Sequence, residues 1–121
     1  MVAPLGLVTV ENYWNENIKE LELVINTSDF MKTYKVFNDI KDKQVLKDAY
    51  SFVFSYGKQI SWRVTFITES GETWGNASFL PCNFATSDNG KAIIGVNGDS
   101  KRLYVAFPSS SSCSMALTRM S

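Results

Sequence analysis

Apolar and polar residues alternate along short segments of this 121-residue chain, and residues that favour tight turns separate the segments. In one of them Tyr50, Phe52 and Phe54 would share one face of a strand, with Ser51 on the other face. The segment 60–67 alternates in the same way. A period of two is typical of a strand that buries one face, so both segments are predicted to be half-buried strands.

Segments of this kind recur at spacings of roughly 8 to 12 residues, which is typical of a sandwich or a barrel. We predict an all-β fold, an antiparallel β-sandwich of about eight or nine short strands that occupies residues 1–121 as a single domain. The predicted strands are 5–10, 21–25, 34–37, 50–56, 60–67, 74–79, 91–96, 103–107 and 114–120.

Turn residues predict how several of these strands are joined. The short segments 57–59 and 69–72 predict two hairpins, and therefore three sequential antiparallel strands. Segments 88–90 and 97–99 each contain Asn-Gly, the signature of a type I′ turn. Residues 41–49 are the one segment that suits a helical turn, but a helix this short is marginal alone, so we expect at most one short helical turn or a covered loop there.

The composition is that of a globular chain, and it gives no sign of a charged surface for a partner. Hydrophobic residues make up 45% of the sequence and aromatic residues 13%. Twelve basic and twelve acidic residues cancel, and the basic ones do not gather in a stripe. A nucleic-acid-binding protein normally has such a stripe, because it neutralises phosphates, so we expect no nucleic-acid partner.

The start of the chain and its two cysteines indicate in which cellular compartment the protein is expected. The first six residues, Met-Val-Ala-Pro-Leu-Gly, lack the basic and long apolar regions of a conventional signal peptide. No apolar run approaches the roughly 20 residues that span a bilayer. We therefore expect a soluble protein, cytoplasmic or released without a conventional signal peptide. Cys82 and Cys113 could form one disulfide or stay as buried free thiols, and the missing signal peptide favours free thiols.

The chain contains no histidine, which removes the usual base of serine and cysteine nucleophiles and the commonest zinc ligand. Two carboxylate pairs, Glu69 with Glu72 and Asp88 with Asp99, have the residue types of a glycosidase, but they fall in predicted turns where acids are usually solvated. A calcium site at Asp88, Asn89 and Asp99 would lack the spaced acidic loop. We expect a non-enzymatic protein with no cofactor and no metal.

Aromatic and amide side chains supply the candidate ligand site. Trp74 with Asn76, near Asn83 and Asp88, would place a stacking surface beside groups that pair with sugar hydroxyls. The alternative is that Trp74 belongs to the core and the others are ordinary turn residues. Trp62 lies in the middle of a predicted strand and is expected in the core.

Tyr13 and Trp14 lie among polar residues in the segment 12–17, and we predict that this loop exposes both. An exposed aromatic pair could anchor to a membrane interface, stack on a sugar or dock a protein. The alternative is packing across the end of the sandwich. Two N-glycosylation triplets, at 26–28 and 76–78, would matter only in a secreted chain.

The part of the chain from Trp62 to Met120 resembles the small β-sandwich defence proteins of fungal fruiting bodies, through its two Asn-Gly turns and its serine-rich loop at 109–112. Aegerolysins are the nearest such group in size and in their tryptophan-bearing strands. Aegerolysins are typically acidic and bind particular membrane lipids, whereas this chain is neutral. No functional residue of the group maps onto this sequence.

These observations favour recognition over catalysis. The leading hypothesis is a lectin-like defence protein that binds glycans at an aromatic and amide site. The second is a lipid-binding or cytolytic protein that contacts a lipid headgroup, with Tyr13 and Trp14 as peripheral membrane anchors. The third is a protein-binding or self-assembling module that forms homo-oligomers through an exposed edge strand.

Overall fold

The computed structural model describes residues 4–28, 30–109 and 111–121 and consists almost entirely of β-strands. The strands are β1 (Leu5–Tyr13), β2 (Ile18–Thr27), β3 (Thr33–Ile40), β4 (Val45–Val53), β5 (Ile60–Thr68), β6 (Thr73–Gly75), β7 (Leu80–Pro81), β8 (Lys91–Asn97), β9 (Arg102–Ala106), β10 (Ser112–Ala116) and β11 (Thr118–Arg119). A short 3₁₀ turn at Thr86–Asp88 accompanies them.

The strands form two sheets that pack face to face. The first sheet has the order β10-β9-β8-β1-β4, and the second has the order β11-β6-β5-β2-β3, with β7 also paired to β5. The predicted β-sandwich is therefore confirmed. Among the described strands β1 and β8 are the parallel pair, and the other pairs are antiparallel.

The hairpin predicted at 57–59 is wrong, because β4 and β5 belong to different sheets. β4 pairs with β1, whereas β5 pairs with β2, so the chain crosses from one sheet to the other between them. The apolar faces of the two strands then meet inside the sandwich, where the rings of Phe52 and Trp62 lie 5.7 Å apart. The second predicted hairpin is confirmed, since β5 and β6 are antiparallel neighbours on either side of 69–72.

The helical turn considered at 41–49 is also wrong, because β4 begins at Val45. Backbone pairing with β1 outweighs the weak local preference of so short a segment for a helix.

The two Asn-Gly turns differ from each other. Asn89 and Gly90 both have positive φ, but they follow the 3₁₀ turn rather than join two strands. The hairpin at 97–99 exists with a longer loop, since Asn97 pairs with Arg102.

The core lies between the two sheets and contains the largest apolar side chains of both. Trp62, Phe54 and Phe66 are fully buried, so the prediction that Trp62 belongs to the core is confirmed. The indole Nε1 of Trp62 donates a 2.8 Å hydrogen bond to the carbonyl oxygen of Cys82. This bond satisfies the one polar atom that the buried ring carries.

Cys82 and Cys113 form a disulfide, so the expectation of free thiols is wrong. Cys82 follows β7 of the second sheet and Cys113 lies in β10 of the first sheet, with the two Cα atoms 6.0 Å apart. The cross-link therefore joins the two sheets at one lateral edge. Sequence alone did not decide this pairing, because the 31-residue separation says nothing about distance in space.

The loops gather at two opposite ends of the sandwich. We call the end that carries the loops β1–β2, β3–β4, β5–β6 and β8–β9 the tryptophan end. The opposite end carries the loops β2–β3 and β4–β5 and the segment 82–90, and we call it the apolar end. Backbone hydrogen bonds from Ser28 to Gln59 and from Phe54 to Pro4 hold the loops of the apolar end together.

Candidate functional site

Trp14 and Trp74 come together at the tryptophan end. Their ring centroids are 5.1 Å apart, and Trp14 also packs edge to face on Phe66 at 4.9 Å. Trp14 is only 4% exposed, so the prediction that this residue is an exposed anchor is wrong. Tyr13, which points away from the core at the end of β1, is 36% exposed.

Asn12 is the reason that Trp14 turns inward. Its side-chain oxygen accepts a 3.0 Å hydrogen bond from the backbone N–H of Trp14. Its amide nitrogen donates to the carbonyl oxygens of Glu16, Ile40 and Lys41 at 3.0 to 3.1 Å. The buried amide thus fixes the β1–β2 loop over the core. The sequence gives no local signal of this role, because Asn12 resembles the other polar residues around Trp14.

Charged groups surround the partly buried ring of Trp74. Its indole Nε1 donates a 2.9 Å hydrogen bond to Glu72, and Arg119 lies 3.6 Å from the same carboxylate. The ammonium of Lys101 lies 4.8 Å from the ring centroid of Trp14 and 5.9 Å from that of Trp74. We call Trp14, Trp74, Glu72, Lys101 and Arg119 the tryptophan cluster. It combines an apolar ring with donors and an acceptor, as sites for polar ligands do.

Asn76, predicted as a ligand-binding residue, is instead part of the core at 0% exposure. Its Oδ1 accepts a 2.9 Å hydrogen bond from the backbone N–H of Val64. Its Nδ2 donates to the carbonyl oxygens of Trp62 and Ser78 at 3.1 and 2.7 Å. Both amide hydrogens are therefore used and the side chain is fully buried, so Asn76 does not face a ligand, and it fixes the chain after β6 against β5.

Asn83 and Asp88 do not lie near Trp74, so the predicted site does not form as a unit. Trp74 is opposite Phe66, while Asn83 accepts a 2.7 Å hydrogen bond from the N–H of Ile60, six residues away along β5. Six residues of extended strand span about 20 Å. Asn83 and Asp88 thus belong to the apolar end, and Trp74 belongs to the tryptophan end.

Asp88 is buried and holds two loop segments together. Its carboxylate accepts hydrogen bonds of 2.8 Å from the N–H of Ala85 and 2.9 Å from the N–H of Ser109. Burial alone would raise the pKa of Asp88, but the hydrogen bonds from Ser109 and Ala85 outweigh it and hold this pKa below its ordinary value. The residue therefore has a structural role. Because β8 separates it from Asp99, the carboxylate pair and calcium site considered for these two residues are wrong.

The apolar end exposes side chains that a soluble domain usually buries. Met31 is 90% exposed and Leu5 is 60% exposed, and both Phe30 and Val53 are also exposed. Leu5 is directly opposite Val53 in the β1–β4 pair. We call these four residues the apolar patch. Beside it, a groove of about 330 Å³ is lined by Phe30, Met31, Thr33, Phe52 and Val53.

Charge is distributed unevenly between the two ends. In the described loops of the apolar end, Lys32 and Lys58 are exposed and Asp88 is buried. The sequence also has Asp29 next to Phe30, outside the described residues. The loops of the tryptophan end carry more acids than bases. The acids are Glu16, Asp42, Glu69, Glu72 and Asp99, and the bases are Lys41, Lys43 and Lys101. The two ends thus differ in that acids predominate at the tryptophan end, whereas two exposed lysines lie beside the apolar patch. Sequence spacing did not show this, because each end collects residues from distant segments.

A further hollow of about 230 Å³ lies on the outer face of the first sheet, lined in part by Thr9, Lys91 and Ile93. On the same face Tyr104 donates a 2.8 Å hydrogen bond to Glu11. Burial and the neighbouring Glu11 carboxylate together raise the pKa of Tyr104 far above its ordinary value. Neither feature is in contact with the tryptophan cluster, and none of the predicted site residues lines the hollow.

Within the described residues, no helix has the length and apolar character needed to cross a membrane. No three His, Cys, Asp or Glu side chains of the described segments gather as a group that could hold a metal ion. Comparison with protein-family models and with curated proteins gives no match.

Proposed function

We propose that this chain is a non-enzymatic recognition protein that docks peripherally on an anionic membrane surface through its apolar end. The observation that carries this proposal is the apolar patch, in which Met31 is 90% exposed. Exposed apolar side chains that cluster at one place mark interaction surfaces more often than scattered ones do. The anchors differ from those first predicted, because Trp14 is buried and Tyr13 lies at the other end.

Charge complementarity favours a bilayer as the occupant of the patch. Lys32 directly follows the apolar loop, and Lys58 lies in the neighbouring loop, whose Gln59 carbonyl accepts a hydrogen bond from Ser28. A lysine close to an anionic membrane surface contributes about 1 kcal/mol, and burial of apolar side chains in the interface adds to this. An apolar tip with two exposed lysines beside it suits the headgroup boundary of such a membrane.

Co-sedimentation with vesicles tests the proposal. The wild-type protein is expected to bind vesicles of phosphatidylcholine with added phosphatidylserine, and to bind pure phosphatidylcholine more weakly. Met31→Glu is expected to lower the affinity about tenfold or more, since a charge replaces an inserted apolar group. Met120→Glu is the matched control, because Met120 is an exposed methionine at the tryptophan end.

Two results would contradict membrane docking. One is equal binding of wild-type protein and Met31→Glu, and the other is no binding to either kind of vesicle. Light scattering of the protein alone tests whether a second copy of the chain covers the apolar patch instead of a membrane. If the apolar patch joins two copies, the wild-type protein has twice the monomer mass and Met31→Glu is monomeric.

We propose glycan recognition by the tryptophan cluster as a second candidate function. The observation that favours it is the partly exposed ring of Trp74 beside Glu72, Arg119 and Lys101. Sugars bind such sites through ring stacking and hydrogen bonds to charged groups. A glycan array with wild-type protein comes first, followed by titration with any glycan that binds.

Variants then locate the glycan site. Trp74→Ala is expected to lose binding, whereas Tyr34→Ala, at an exposed aromatic on β3, is expected to keep it. Unchanged affinity in folded Trp74→Ala would contradict a site at the tryptophan cluster. An array without any bound glycan would contradict glycan recognition altogether.

A further inference from the structure

The structure separates two Asn-X-Ser triplets that look equivalent in the sequence. Asn26-Thr27-Ser28 lies at the end of β2, and Asn76-Ala77-Ser78 follows β6. A folded protein can carry an N-linked glycan on such a triplet only where the asparagine amide faces solvent, because the glycan is bulky. The two amides have opposite surroundings, so the fold distinguishes them where the sequence pattern does not.

Asn76 is incompatible with a glycan in the folded protein. Its Nδ2, the atom that would carry the sugar, donates to the carbonyl oxygens of Trp62 and Ser78 and is fully buried. A glycan there would remove a donor and would need space that the core does not have. A molecule modified at Asn76 would therefore be unable to pack β5 against the segment after β6.

Asn26 points away from the core. Its neighbours Ile25 and Thr27 are buried and face inward, so the alternation of the strand turns Asn26 to the outer face of the second sheet. Asn26 lies opposite Ser61 on β5 and is beyond the last paired position of β3, which joins Ile25 to Thr33. Ser28, which supplies the third position of the triplet, is also exposed.

The disulfide is an independent observation that bears on the same question. A structural disulfide between Cys82 and Cys113 is typical of proteins that fold in an oxidising compartment. N-linked glycosylation takes place on chains that enter the eukaryotic secretory pathway, where disulfides also form. The cysteine pairing thus gives the exposed triplet a setting in which it would be used.

We propose that Asn26 is an N-glycan acceptor and that Asn76 is not one in the folded protein. The donor is an oligosaccharide linked to a lipid pyrophosphate. The Nδ2 of Asn26 attacks the first sugar carbon and forms a carbon–nitrogen bond. The bond from that carbon to the pyrophosphate oxygen breaks, the lipid pyrophosphate leaves, and the amide loses one proton to base. The glycan then covers the outer face of the second sheet near β2.

Expression of the full chain behind a cleavable secretion signal in eukaryotic cells tests the proposal. Intact mass before and after treatment with peptide N-glycosidase counts the glycans, and peptide mapping locates them. The secreted wild-type protein is expected to carry one glycan, on Asn26. Ser28→Ala is expected to abolish it while leaving Asn26 in place, and Ser78→Ala, the matched control in the other triplet, is expected to leave it unchanged.

Two results would overturn the proposal. The first is secreted protein with an intact disulfide but without a glycan on Asn26. The second is a glycan on Asn76 in protein with an intact disulfide and native near-ultraviolet circular dichroism. Asn26 precedes the β2–β3 loop of the apolar end, so a glycan on it would lie close to the apolar patch. The membrane and glycan-binding tests therefore use protein expressed without N-glycans, and their outcome is then independent of this one.

Discussion

The indole rings of Trp14 and Trp74 meet edge to face, with centroids 5.1 Å apart and planes inclined by 61°. Trp14 follows β1 of the first sheet, and Trp74 lies in β6 of the second sheet. The contact therefore closes the sandwich at the tryptophan end. It also brings together two aromatic residues that are 60 positions apart in the sequence.

Trp14→Ala is expected to lower the free energy of unfolding by about 3 to 5 kcal/mol, because the large ring is buried and its removal leaves a cavity. Trp74→Ala should cost less, since that ring is only partly buried. A double-mutant cycle should give a coupling of about 0.5 to 1.5 kcal/mol for the ring contact. Denaturant unfolding followed by the fluorescence of Trp62 measures all three variants. Coupling near zero would mean that the edge-to-face contact contributes nothing to stability.

Asn76→Ala is expected to destabilise the protein by about 3 kcal/mol, since it leaves the N–H of Val64 and two carbonyl oxygens without their partner. The matched control is Asn26→Ala, at an exposed amide in β2. It should change the free energy of unfolding by less than about 0.5 kcal/mol. Thermal and urea unfolding of the two variants provide the comparison. Similar losses in both would contradict the structural role assigned to the buried amide.

Replacement of Cys82 and Cys113 by serine is expected to lower the free energy of unfolding by about 4 kcal/mol, because the open chain gains entropy when unfolded. The closed loop spans 31 residues of sequence separation. Urea unfolding with and without a reducing agent measures the effect. The reducing agent should destabilise the wild-type protein and leave the double variant unchanged. A wild-type protein that is insensitive to reduction would argue against the cross-link.

Asp88 is expected to make stability depend on acid pH. Its folded-state pKa is lowered, so its contribution is present above the unfolded pKa of about 4 and is lost as pH falls through the folded value. Asp88→Asn should cost about 1 to 3 kcal/mol at neutral pH, because an amide NH₂ then faces the N–H of Ala85 or Ser109. The difference between the two proteins should shrink below pH 4. Urea midpoints across an acid series test this, and a constant difference would exclude the ionised carboxylate as the cause.

Lysines at the apolar end are expected to contribute to the proposed membrane affinity. Replacing both Lys32 and Lys58 by glutamine should weaken binding to anionic vesicles by about tenfold or more, at about 1 kcal/mol per lysine. Added salt should reduce wild-type binding and affect this variant less. Glutamine at Lys41 and Lys43, which lie at the tryptophan end, serves as the control. Equal weakening by both double variants would indicate a general charge effect and not a docking surface.

Part of the fold was readable from local pattern. The alternation through β5, with Trp62, Val64 and Phe66 on one face, predicted both the strand and its buried side. The loop 69–72 predicted its hairpin because adjacent antiparallel strands need only a short turn. The same reasoning failed at 57–59, because a short loop can also carry the chain from one sheet to the facing one.

The candidate site was less predictable, because it depends on contacts between distant segments. Trp14 looked exposed among polar neighbours, but Asn12 folds its loop inward with hydrogen bonds to residues near Ile40. Asn76 looked like a ligand group, but it is fully buried and hydrogen-bonds three backbone groups. Polar residue type alone does not show whether a side chain serves the fold or a ligand.

By itself, the sequence determined the β-sandwich class, the buried face of its most regular strands and the absence of histidine chemistry, since these depend on residue type and short-range periodicity. The tertiary structure decided the sheet membership of β4 and β5, the pairing of Cys82 with Cys113 and the position of the apolar patch. It also decided which glycosylation triplet faces solvent. These features depend on which distant segments pack together to bury apolar surface, and neither residue type nor short-range periodicity specifies that.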